Sequence, residues 1–215
     1  MKPRNYFIIG LLVLIAACSE TTSLIGVWQA EDYQGPKDFK KIAVVALTQN
    51  KSSQLVVEKT LIDRLKYLGY EAMYGSTILV PSVVKEDNKE MIEKMMKDQG
   101  VDAVMIISLL DVKHGTQYVP GSGSYSPGGY YGGYYGYYGY SYNHYYGGTP
   151  GYYQSTESYF VECNFYDVNE NEKLVSSLQT ETVDPSDIDT FADSFSYTVL
   201  KKLVEQKILE NKTKK

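Results

Sequence analysis

Apolar residues gather in short blocks along the chain, and their spacing changes from block to block. KIAVVAL, residues 41–47, is an unbroken run rich in β-branched side chains and predicts a buried strand. Asn50 to Ser53 then offer capping side chains. Val57, Leu61, Leu65 and Leu68 recur at helical spacing, with Glu58, Lys59, Asp63 and Lys66 largely between them. Gly69 predicts the helix stop. A strand is expected over Tyr70–Tyr74, and a second, short one over Thr77–Val80 before Pro81. Asp87 and Glu90 have the spacing of a capping box. They open a helix containing Met91, Ile92, Met95 and Met96 and ending at Gly100. These methionines read as core; an adaptable binding stripe is the other use of such a run. Residues 101–112, VDAVMIISLLDV, predict a strong strand.

A long interruption follows, after which the pattern resumes. Tyr159, Val161, Cys163 and Phe165 alternate onto one side of a strand running to Val168. Asn169 to Glu172 predicts a turn and Lys173–Val183 a partner strand, so the pair reads as a hairpin. Asp184-Pro-Ser-Asp187 opens a last helix, with Ile188, Ala192, Phe195, Val199 and Leu203 near one face. The order strand, helix, strand, helix, strand, insertion, hairpin, helix predicts an α/β fold: a single domain with a mixed sheet covered by helices. The domain is expected over residues 38–209, with a low-complexity insertion at 114–156 and a solvated basic tail at 210–215.

The chain start is of another kind. Lys2 and Arg4 precede an apolar run from Phe7 to Ile15, then Ala16, Ala17 and Cys18, the pattern of a secretory signal peptide over residues 1–17. The run is short for a bilayer span of about 20 residues. Leu14-Ile-Ala-Ala-Cys18 resembles the lipobox of bacterial lipoproteins. The resemblance implies cleavage before Cys18 and a covalent lipid on its sulfur, hence a membrane anchor. Residues 18–37 then read as a lipidated tether, in which Trp28 either docks on the domain or sits near headgroups. Ser19, where an aspartate marks inner-membrane retention, implies the outer membrane, facing the periplasm.

Without Lys2 and Arg4 the formal charge is −7. That argues against nucleic acid as a partner, which calls for a basic patch. With Cys18 lipidated, Cys163 has no partner in the chain, and its place in the alternation predicts a buried, inert thiol. No cofactor is expected beyond the lipid, and no metal, since zinc-type cysteine spacing is absent. His114 and His144 belong to no hydrolase motif, and there is no phosphate loop. Asp111 and His114 are close in sequence but read as a strand end running into a loop. Glu170/Glu172 and Glu181/Asp184 read as solvated turn carboxylates. The chain is therefore not expected to be an enzyme; a cryptic activity is the weakest alternative.

The interruption is the unusual feature. Residues 118–153 hold 14 tyrosines and 11 glycines, and no charged residue lies between Lys113 and Glu157. Such a tract is either a low-complexity excursion or an interaction element. A phenol ring brings contact area, few rotatable bonds and a polar handle, as in antibody paratopes. The candidate interaction residues are Tyr130, Tyr131, Tyr134, Tyr135, Tyr137, Tyr138, Tyr140, Tyr142, Tyr145 and Tyr146, facing an envelope protein or a glycan. Self-association through stacked Tyr/Gly segments is the competing use.

FKKIAVVAL, the helix ending YLGYEA, and VDAVMIISLLDV together resemble the amino-terminal domain of TolB and related envelope lipoproteins. Tyr166-Asp167-Val168 and Leu174-Val175, after a Tyr/Gly-rich insert, are similar to a group of bacterial lipoproteins in which a tryptophan often follows the last pair; Ser176 stands there in this chain. The resemblance implies a TolB amino-terminal-like α/β domain. It implies none of TolB's partners, because no propeller repeats follow. The expected function is that of a non-catalytic, lipid-anchored envelope protein, binding or scaffolding within an assembly or secretion complex.

Overall fold

KIAVVAL is buried from Ile42 to Ala46. In a computed structural model it forms strand β2 (Lys41–Leu47), whose Ile42, Val44 and Ala46 point to one side of a sheet while Ala43 and Val45 point to the other. The structure describes residues 22–79, 89–119, 152–170 and 172–213. Its elements are β1 (Thr22–Gln29), β2, α1 (Lys51–Tyr67), β3 (Glu71–Tyr74), α2 (Lys89–Asp98), β4 (Ala103–Val119), β5 (Tyr152–Asp167), β6 (Lys173–Val183) and α3 (Ile188–Glu205). They build one six-stranded mixed sheet in the order β1-β6-β5-β4-β2-β3. β2 runs parallel to β3 and β4, and the other pairs are antiparallel.

The helices divide between the two faces. α1 and α3 lie side by side over one face, with Leu61, Leu65, Phe195, Val199 and Leu203 almost fully buried against Met105, Cys163, Phe165 and Leu178. Phe191 stacks on Phe195 with ring centres 5.6 Å apart. α2 covers the opposite face only around β2 and β4, where Met96 meets Ala43 and Val104 and Ile92 and Met95 pack beside it. The methionine run is thus core at Met95 and Met96, while Met91 is exposed.

Local chemistry sets the helix limits. Asn50 caps α1, its side chain accepting the N–H groups of Ser52 and Ser53 at 3.0 and 3.1 Å. Gly69, at φ +94°, stops it. Asp187 caps α3 by accepting the Thr190 N–H at 2.7 Å. Glu58, fully buried in α1, fastens the helix to β2: it accepts the Ala46 N–H at 2.9 Å, Gln54 Nε2 at 3.1 Å and Ser76 Oγ at 2.8 Å.

Several expectations are corrected. The tether expected over residues 18–37 belongs to the sheet from Thr22 onward: β1 pairs with β6, and Thr22 Oγ1 bonds Thr182 Oγ1 at 2.7 Å beneath α3. Residues 30–40 are also tied down, through Lys37 to Asp167 at 2.8 Å and Lys173 to Asp32 at 2.6 Å. Of the strand expected at Thr77–Val80, Val80 lies outside the described residues, and the chain makes a 3-10 turn at Gly75–Thr77. Gly75 there sits so close to β2 that a Cβ would lie 2.4 Å from Val45 Cγ2. The tail is not free: the Lys212 N–H donates to Leu68 O at 2.9 Å and its ammonium to Phe39 O at 2.6 Å, 4.4 Å above the Tyr70 ring centre. Strand pairing reaches Val119 and Tyr152, well inside the insertion expected at 114–156. Asp87, of the expected capping box, lies outside the described residues.

Candidate interaction site

β4 and β5 are far longer than the sheet that holds them. Their ladder continues without a break from Asp111↔Phe160 to Val119↔Tyr152, whereas β6 leaves β5 at Ser158↔Val183. Among the described residues, six pairs from His114↔Glu157 outward therefore form a two-stranded arm, about 20 Å long at 3.4 Å per residue. An isolated two-stranded ribbon is marginal in water. What fixes this one is its root.

Glu157 is the centre of that root. Its N–H donates to Asp184 Oδ1 at 2.5 Å and its carbonyl accepts the Asp184 N–H at 2.8 Å. Its carboxylate accepts Tyr159 Oη at 2.8 Å, and His114 Nδ1 lies 3.2 Å from it across the ladder. The bond to the Glu157 carboxylate, aided by partial burial, raises the Tyr159 phenol above its usual range. Tyr159 in turn rests against Phe191 of α3, ring centres 6.0 Å apart. Asp184 holds a left-handed backbone at φ +44°, a conformation that Asp and Asn tolerate better than most residues. One aspartate thus joins the arm to the loop that starts α3. Lys113 lies over the Phe160 ring at 4.4 Å on the adjoining stretch.

Beside the root lies a mainly apolar groove of about 370 Å³, at the carboxyl end of β2. Leu47, Leu109, Tyr159 and Phe191 line it, and the starts of α1 and α3 close it. This end of an α/β sheet is where ligands commonly sit. A bulge near Leu109 displaces the register there, and Leu109 and the neighbouring Leu110 are both about half exposed. The polar groups lining the groove are hydroxyls and Asp187, with no histidine or cysteine. Asp187 is committed to its cap, and the Thr190 N–H holds its carboxyl below the usual carboxylate range. The groove is shaped to hold an apolar or aromatic group, and it places no acid–base pair there.

The other candidate residues separate clearly. Asp111 turns back on the N–H of Val112 at 2.9 Å while His114 faces Glu157, so the two share no site. Cys163 is buried in the main core, and desolvation there pushes its thiol far above the usual range. Glu170 pairs with Lys37 and Lys173. Asp184 is the arm's clamp and no mere solvated turn carboxylate. Cys18 and the ten tyrosines from Tyr130 to Tyr146 lie outside the described residues. Among the described residues no group of three His, Cys, Asp or Glu side chains could hold a metal ion. No helix among them is long and apolar enough to cross a membrane. Sequence reasoning missed Glu157 and Glu58. For Glu157 the deciding partners, Asp184 and His114, are distant in sequence; for Glu58 the signal was a carboxylate one position from Val57 on the buried side of α1.

No family model and no curated protein matches the sequence. Among solved structures the chain is similar to PelC from Paraburkholderia phytofirmans, a dodecamer, at 12% identity and a TM-score of 0.44, over 81% of this chain and 94% of that one. It is also similar to lipoprotein GNA1162 from Neisseria meningitidis, at 14% identity and a TM-score of 0.37, over 77% and 99%.

Proposed function

We propose that this chain is a non-catalytic, lipid-anchored protein of the bacterial envelope, most simply of the outer membrane facing the periplasm, whose α/β domain holds out a binding arm. The domain is the mount. The β4–β5 arm is the part that meets a protein or glycan partner, through the tyrosines carried between Val119 and Tyr152. The observation that supports this reading is the clamped two-stranded arm itself: six pairs extend past the last neighbouring strand, and Glu157 and Asp184 fix their direction. A ribbon without a third strand gains little from projecting into water. It gains when its tip carries an aromatic surface that a partner covers. The lipobox-like start supplies the anchor, and its Ser19 the address.

The test follows from the register. Val119 faces Tyr152 directly, so residues 120–151 can be replaced by a two-residue Asn-Gly turn that closes the hairpin without changing any pairing. Crosslinked pull-downs from native envelopes would compare this variant with the intact lipoprotein. Loss of a specific partner is the expected result. An unchanged partner list would remove the tract from the account. Loss of a concentration-dependent homo-oligomer with no other protein captured would mean that the tract joins copies of this chain.

A further inference from the structure

The described chain begins at Thr22, four residues after Cys18. Four residues span at most ~14 Å. A lipid on Cys18 therefore holds the start of β1 within that distance of a bilayer. Among the described residues β1 is also an edge of the sheet, paired only with β6. Exposed edges are usually guarded by charges or proline. The eight residues TSLIGVWQ carry neither, and a bulge between Leu24 and Gly26 is their one irregularity. Instead Ile25, Val27 and Trp28 are 51, 49 and 49% exposed. Trp28 stands opposite Ser177 on the sheet's polar face and Val27 opposite Leu178 on the helical face, so both flanks of the edge carry an apolar group.

Between β1 and α3 runs a groove of about 320 Å³ walled by Tyr197, Lys201, Lys202 and Glu205, the last two paired at 3.3 Å, which leaves Lys201 as its net positive charge. Lys201 Nζ lies 5.6 Å from the Tyr197 ring centre. Tryptophan, tyrosine and lysine are the residues that settle at membrane–water interfaces, and lysines beside an anionic leaflet add attraction. The unpaired backbone groups of an edge strand suit the wet headgroup layer and exclude the hydrocarbon.

We propose that the β1 edge, through Ile25, Val27 and Trp28 and flanked by Lys201 and Lys202, is a docking surface for the headgroup layer of the bilayer that holds the anchor. The proposal rests on the lipid-anchor reading of Cys18. In the docked pose β5 and β4 stand two and three strands from the membrane edge, about 10–15 Å at the usual strand spacing. The arm then runs close above the bilayer.

Trp28 is the only tryptophan in the chain, so its fluorescence reports this edge alone. The lipidated full-length protein would be reconstituted in phosphatidylethanolamine/phosphatidylglycerol vesicles. It is expected to float with them, with Trp28 emission blue-shifted, protected from acrylamide and quenched by lipids brominated near the headgroup. Ile25→Asp and Val27→Asp, both at exposed positions, are expected to float on the anchor but to lose most of the bromolipid quenching. If the protein does not float, the anchor reading fails and the docking surface with it. If it floats with Trp28 as open to acrylamide as in the same protein without its lipid and without vesicles, the anchor stands and the docking surface is overturned. Trp28 shielded from acrylamide but untouched by brominated lipid would mean that protein covers the edge, which also overturns it.

Discussion

Glu157 and Asp184 exchange two hydrogen bonds, the Glu157 N–H to Asp184 Oδ1 at 2.5 Å and the Asp184 N–H to Glu157 O at 2.8 Å. This pair joins the root of the arm to the segment that opens α3. Asp184→Ala removes the side-chain bond and places alanine at φ +44°. The two losses together should cost about 2 kcal/mol, half from the bond and half from the left-handed backbone. The expected signature is local: faster amide exchange at residues 114–116 and 153–157, with the amides of β2 and the inner half of β4 unchanged. Uniformly faster exchange would mean that the arm and the core open together.

Glu58 tests the fastening of α1 to the sheet. Glu58→Ala leaves the Ala46 N–H without its partner inside the protein, along with the Gln54 and Ser76 donors. Each buried donor left unpaired costs roughly 1–3 kcal/mol. A lowered denaturation midpoint with an unchanged slope is expected in urea, and Glu58→Gln should recover part of the loss.

Cys163 should be silent while the protein is folded. Burial raises its thiol far above the usual range, and only 1% of the residue is exposed. A thiol reagent at pH 8 is expected to label it only as denaturant unfolds the chain, in step with the loss of helical circular dichroism. Labelling in native buffer would contradict the described packing.

The carboxyl-terminal residues should contribute stability. Ending the chain at Leu209 removes the Glu210 N–H donated to Tyr70 Oη at 2.7 Å and the Lys212 contacts to Phe39 O and the Tyr70 ring. A loss of about 1–3 kcal/mol is expected from these bonds. Burial raises the Tyr70 phenol above its unfolded value of 10.0. Stability from that shift is complete below the unfolded value and is lost as pH rises through the folded one. Tyr70→Phe is therefore expected to be less stable at pH 7 and to show a shallower decline of stability above pH 10.

The parts of the fold that local chemistry decides were legible in the sequence. Asn50, Gly69 and Asp187 mark helix ends where they were expected, and the alternation Val161, Cys163, Phe165 named the buried side of β5. What was hidden depends on distant partners. β1 is hidden in the sequence because a bulge between Leu24 and Gly26 breaks its alternation and its partner strand lies about 150 residues away. The turn at Gly75 is set by contact with Val45, which no local pattern announces. Residues 113–117 are polar or glycine with no apolar alternation, so nothing in that stretch distinguishes a paired strand from a loop. The arm's root became visible only once Asp184 stood beside Glu157.

The central claim, that the arm is where a partner meets this protein, is tested most directly by site-specific photocrosslinking in intact cells. A photoreactive phenylalanine would replace Tyr153 on the arm, 74% exposed, or Tyr67 at the end of α1, 76% exposed. A discrete crosslinked product from position 153 and none from position 67 is predicted. A product from position 67 with none from position 153 would move the interface to the helical face and contradict the account.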